Sequence, residues 1–92
     1  MIVRFSIHPA AGAYDYQVSY EGEALFGDEG LQSVEHCIDA AVEGLGQGAV
    51  AAEVALGGIV SGTYPLASLA LMSAQIAEHA INTTAAIQEL MS

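Results

Sequence analysis

Val3, Phe5 and Ile7 alternate with Arg4, Ser6 and His8, the period of two that marks a strand with one face buried. This strand is expected to end at Pro9, with a loop over residues 9–13. Tyr14, Tyr16, Val18 and Tyr20 then alternate with Asp15, Gln17 and Ser19, which gives a second strand with strong β-formers on one face. Glu21-Gly22 reads as a tight turn into a third strand. A two-residue turn pairs Tyr20 with Glu23, Ser19 with Ala24, Val18 with Leu25 and Gln17 with Phe26, leaving Phe26 on the polar face. Three explanations of that stranded ring are open: the following chain covers it, it belongs to an interface, or the register is off by one residue.

Beyond residue 27 the period changes. Leu31, Val34, Cys37 with Ile38, Ala41 with Val42, and Leu45 recur at steps of three and four, predicting a helix over 28–45 with Asp28 as its cap. Gly44, Gly46 and Gly48 are expected to end it. Residues 49–60 are rich in Ala and Gly, with Ala51, Ala55, Gly58 and Gly62 near one face, and predict a helix that another can approach closely. Thr63 before Tyr64-Pro65 reads as the start of a long final helix. Leu66, Leu69, Ser73, Ile76, Ala80, Thr83, Ile87 and Leu90 form its seam, too small and polar in the middle for a strong zipper. The expected fold is one α+β domain over 1–92. It has an N-terminal three-stranded antiparallel meander (1–27), an acidic amphipathic helix (28–45) and an Ala/Gly-rich helical hairpin (49–91), whose two helices pack as a close pair.

Composition adds a constraint on partners. The chain has 92 residues, 53% of them apolar, and a net charge of −10. Charged residues make up 13%, about half the usual share of roughly 25%. The acids are ordinary in number, and the bases are missing: Arg4 is the only Arg or Lys. Such a chain is repelled by polyanions, so direct binding to nucleic acid or to an acidic membrane surface is not expected. Residues 54–77 carry no charge, but Gly57, Gly58, Ser61, Gly62, Thr63 and Pro65 interrupt them and no base flanks them, so a soluble helical pair is preferred to a membrane span. A domain this small buries a modest core, and self-association as a homodimer is expected to cover part of the apolar surface. Cys37 as the only cysteine excludes an internal disulfide and fits a reducing, cytoplasmic setting.

Catalytic and ligand motifs are weak. Gly44-Leu45-Gly46-Gln47-Gly48-Ala49 matches the dinucleotide fingerprint G-x-G-x-x-A, but a helix precedes it where a strand is required, so an interhelical turn is the better explanation. His36 and Cys37 are adjacent, about 100° apart around a helix, and cannot face each other as base and nucleophile. Cys37 lies on the apolar stripe, where a free cysteine acts as a small hydrophobe. No metal-ligand spacing occurs among the three His, eleven acids and one Cys. No cofactor, metal or catalytic residue is assigned.

The cluster that remains is acidic. Asp28 and Glu29 are followed by Glu35, Asp39 and Glu43, the last three spaced four apart and hence on one helix stripe. Eight of the eleven acids precede residue 44. Such a stripe keeps a small apolar protein in solution, and it also steers a basic partner.

The order of three strands and a helix, with Gly27-Asp28 leading into the helix, resembles the start of HicB-type antitoxins over about half the chain. Where those proteins carry a P-x-x-P-G-C stretch, this one has Glu23-Ala24-Leu25-Phe26-Gly27, and its C-terminal half does not resemble their DNA-binding segment. In style, without a shared motif, the chain is similar to small acidic phage-encoded inhibitors such as anti-CRISPR proteins.

Three functions are expected from these features. The first is a non-enzymatic, phage or bacterial protein-binding module that occupies a basic, nucleic-acid-binding surface of a partner through Asp28, Glu29, Glu35, Asp39 and Glu43. The second is a homo-oligomeric assembly protein, associating through Ala51, Ala55, Gly58, Leu69 and Ile76. The third is a small ligand-binding domain or enzyme with a pocket lined by Tyr14, Tyr16 and Tyr20.

Overall fold

A computed structural model describes residues 1–46 and 49–91. Its elements are β1 (Ile2–Ala10), β2 (Ala13–Tyr20), β3 (Glu23–Leu31), α1 (Val34–Leu45), β4 (Ala51–Leu56), β5 (Ile59–Pro65), α2 (Leu66–Leu71) and α3 (Ser73–Met91). The strands form one mixed sheet of five in the order β3-β2-β1-β4-β5. β1 is antiparallel to β2 and parallel to β4, and the two hairpins β2–β3 and β4–β5 form the flanks.

The α+β class and the N-terminal meander are present, but the meander is only part of the sheet. The expected helix over 49–60 is instead the hairpin β4–β5. Ala52 and Val54 are buried while Ala51 and Glu53 alternate with them, a period of two that lapses at the buried Ala55, where the pairing with β5 shifts. Gly57 and Gly58 have φ of 60° and 83°, the paired positive angles of a tight hairpin turn that side-chain-bearing residues rarely adopt. The last helix starts at Leu66, after the strand has run through Pro65, and is broken at Met72 into α2 and α3. Its predicted seam survives in Leu69, Ile76 and Ala80, with Thr84 buried in place of Thr83 and Leu90 left 86% exposed.

The helix expected from residue 28 begins at Val34. Residues 28–31 complete β3, and Ser33, with extended φ and ψ, accepts the His36 N–H on its Oγ at 3.1 Å. Of the three glycines expected to end the helix, Gly46 does so and Gly44 lies inside it, whereas Gly48, with Gln47, lies outside the described residues.

One sheet face carries the core. Phe5 is fully buried between its cross-strand partners Val18 and Val54, with Val3, Ile7, Tyr16, Ala52 and Leu56 around it. α1 packs over β1, β2 and β3, and α3 over β4 and β5, so Val34, Cys37, Ile38, Ala41, Leu69, Ile76, Ala77 and Ala80 close the same core from above. Burying a ring like that of Phe5 contributes about 1.5–3 kcal/mol. The small side chains of β4 have a packing role: Ala52 lets the helix layer sit close over a central strand. Thr84 of α3 ties the layers together by donating its hydroxyl to the Leu56 carbonyl at 3.4 Å. On the opposite face Arg4, His8 and Gln17 are exposed, and none of the helices among the described residues packs there.

Register explains Phe26. The turn Glu21-Gly22 pairs Tyr20 with Glu23 and Ser19 with Ala24, as a two-residue loop requires, but a bulge then slips the pairing so that Val18 faces Phe26. Leu25 is the extra residue and is 46% exposed. Phe26 thereby turns to the core face, where its ring meets Tyr16 edge-on at 6.4 Å between centroids and 87° between planes.

Candidate functional site

The five acidic residues singled out in the sequence fall into two groups. Asp28 and Glu29 lie on β3, at one edge of the sheet, while Glu35, Asp39 and Glu43 lie on α1. Gly44 marks the side of α1 that meets β3, because its backbone lies against the Phe26 ring. At 100° per residue the three stripe positions are roughly 100–180° around the helix from Gly44, so they point away from β3. Asp39 and Glu43 are exposed and Glu35 is half-buried.

Asp28 and Glu29 are joined by a third carboxylate that the sequence reading did not single out. A second bulge sets Asp15 opposite both Glu29 and Gly30, between the pairs Tyr16–Asp28 and Tyr14–Leu31. The Gly30 N–H donates to Asp15 Oδ1 at 3.0 Å, and the Glu29 N–H to Asp28 Oδ1 at 2.8 Å. Each bond anchors one carboxylate oxygen and fixes where its charge sits. His8, Asp15, Tyr16, Gln17, Gly27, Asp28 and Glu29 together line an open cleft of about 550 Å³ over β1, β2 and β3. Gly27 faces Gln17 across the strands, and its missing side chain leaves the floor free. A Cβ there would run into the Tyr16 carbonyl oxygen.

No lysine or arginine balances this cleft. Arg4, the chain's only Lys or Arg, lies on β1 next to β4 and is held by Glu53 at 2.6 Å through both Nε and Nη2. Among the described residues no group of three or more His, Cys, Asp or Glu side chains is arranged to hold a metal ion. Cys37 is buried under α1, and burial followed by the nearby Asp15 charge pushes its thiol up to about 11, the opposite of what a nucleophile needs. Burial, then Asp28 and Cys37, likewise raises the Tyr16 hydroxyl.

The three tyrosines do not share a pocket. Tyr16 is core and borders the acidic cleft, Tyr14 lines a cleft of about 190 Å³ with Pro9, Leu56, Ile81 and Thr84, and Tyr20 is exposed beside the Glu21-Gly22 turn. Of the residues expected to mediate self-association, Ala55, Leu69 and Ile76 are buried within the protomer. Ala51 is on β4 and Gly58 in the β4–β5 turn, so the five share no helix face.

No family model, curated protein or solved structure matches the chain. No helix among the described residues is long and apolar enough to cross a membrane.

Proposed function

We propose that this chain is a non-enzymatic protein-binding module that receives a basic segment of a partner protein in the cleft formed by Asp15, Asp28 and Glu29. The observation that carries this reading is the pairing of an open cleft lined by three acidic residues with a lone arginine already committed to Glu53. A guanidinium or ammonium group entering the cleft meets negative charge that no lysine or arginine of the chain neutralises. The outward stripe of Glu35, Asp39 and Glu43 extends the negative field and speeds encounter with a positive surface. Where the partner's basic segment normally holds nucleic acid, occupation by this chain inhibits it by mimicry.

Affinity capture with the intact chain, followed by mass spectrometry, supplies the partner for the test. Binding is then titrated against salt for the wild type, for Asp28→Asn with Glu29→Gln, and for Glu35→Lys with Asp39→Lys. Affinity is expected to fall with salt and in both double variants, more through the association rate for the helix pair and more through dissociation for the cleft pair. An affinity indifferent to salt and to both pairs eliminates the electrostatic mechanism.

A further inference from the structure

The two edges of the sheet differ in chemistry. β3, one edge, carries Glu23, Asp28 and Glu29 and is interrupted by two bulges, features that blunt an edge against pairing with another chain. β5, the other edge, carries no charged residue over its seven positions, and its sequence Ile-Val-Ser-Gly-Thr-Tyr-Pro is rich in residues suited to strands. It has a single bulge, where Ser61 is the extra residue and donates its hydroxyl to the Val54 carbonyl. Val60 and Thr63 are exposed on it. The Leu66 N–H donates to the Val50 carbonyl, and the alternation of an antiparallel ladder then turns the polar groups of Tyr64 and Gly62 toward β4 and those of Thr63 outward. β5 therefore offers the Thr63 N–H and carbonyl to another strand, while Pro65, two residues on, has no N–H to add.

Charge decides which strand fits. A chain of net charge −10 opposes its own association wherever acids meet, and eight of its eleven acids precede residue 44. Residues 54–77, which contain β5, α2 and the first turn of α3, carry none. β5 is thus the edge strand on which two copies can pair without setting acids of the paired strands against each other. An antiparallel strand pair is also self-complementary about a two-fold axis, as a closed dimer requires. We propose that β5 pairs antiparallel with β5 of a second copy, continuing the sheet from five strands to ten. α2 and α3, which lie over this end of the sheet, come alongside their counterparts in the same arrangement. This inference is independent of the cleft and keeps it free, at the far edge of each protomer.

Sedimentation of the intact chain over a concentration series at low and high salt tests the proposal. The wild type is expected to dimerise, more tightly at high salt because screening relieves the repulsion between the protomers. Val60→Lys with Thr63→Lys is expected to abolish the dimer while the circular dichroism of the fold is kept, and Leu25→Lys on the β3 edge to leave the dimer intact. A wild type that stays monomeric throughout, a dimer that survives the β5 double variant, or one lost with Leu25→Lys overturns the proposal. Should the double variant not fold, hydrogen exchange at the Thr63 amide of the wild type decides: exchange that slows with concentration supports β5 pairing, and exchange independent of concentration refutes it.

Discussion

Gly44 of α1 lies so close to the Phe26 ring of β3 that a Cβ built on it would stand 2.6 Å from Cε2 and 2.9 Å from Cζ. The absent side chain is therefore what lets the helix settle onto the edge strand. Two effects of Gly44→Ala oppose each other. Alanine is favoured over glycine in a helix by up to about 1 kcal/mol, whereas forcing a methyl into an occupied space costs about 1–3 kcal/mol. Net destabilisation is expected in the wild-type background. With Phe26→Ala the clash is gone, and Gly44→Ala is expected to stabilise. Urea unfolding of the four proteins of this cycle measures the coupling, expected at about 1–3 kcal/mol.

That contact also shows what the sequence conveys and what it withholds. Alternation in residues 3–7 and 14–20 is enough to reveal β1 and β2, and steps of three and four reveal α1 but not its start, which is Val34 and not Asp28. Of the three explanations open for Phe26, the shifted register holds, because a bulge inserts Leu25 with no glycine beside it to mark the place. The segment 49–60 came out as helix because alanine favours helices and its seam looked like a packing face. In β4 alanine is selected by burial beneath the helix layer, which overrides propensity. A signal was present, since Gly57-Gly58 between Val54, Leu56 and Ile59, Val60 is a hairpin pattern. At the cleft, Asp28 and Glu29 were legible as acids, but Asp15 joins them only through cross-strand register, which no local pattern contains.

The start of α1 gives a direct test of that correction. Ser33 Oγ accepts the His36 N–H, one of the donors left unpaired in a first helical turn. Ser33→Ala is expected to cost about 1 kcal/mol, within the 0.5–2 kcal/mol typical of cap removal. Asp28, three residues before the end of β3, makes no cap bond, so Asp28→Ala is expected to leave helix stability unchanged. Thermal unfolding followed at 222 nm separates the two.

Cys37 makes the fold sensitive to alkali. Its thiol is raised from 9.0 to about 11 in the folded chain, so between those values the folded state holds a proton that the unfolded state has released. Stability from this group is complete below the unfolded value and is lost as pH climbs toward the folded one. Tyr16, also raised, acts in the same direction at higher pH. The wild type is expected to lose stability steadily above about pH 9, and Cys37→Ala, though less stable at neutral pH because it leaves a small cavity, is expected to show a shallower alkaline decline. Denaturant midpoints collected as a function of pH check the slopes. In the native state at pH 8 the thiol is expected to resist alkylation, reacting only once the chain is unfolded.

The acidic stripe invites a comparison between what suits folding and what suits binding. Glu43 is exposed near the end of α1, a helix with no base in its last turn, where the partial negative charge of the terminal carbonyls and the neighbouring Asp39 both oppose a carboxylate. Glu43→Lys reverses both terms, and a gain of about 0.5–1 kcal/mol in stability is expected at low salt, shrinking as salt is added. If the stripe serves solubility alone, the substitution changes stability and solubility and leaves partner affinity as it was. Under the proposed function the same substitution weakens partner binding while it strengthens the fold, the trade expected where a surface is kept for recognition. Unfolding free energy and partner affinity measured on one preparation of Glu43→Lys decide the matter: opposite signs support a binding role for the stripe, and a stabilised protein with unchanged affinity confines the partner to the Asp15, Asp28 and Glu29 cleft.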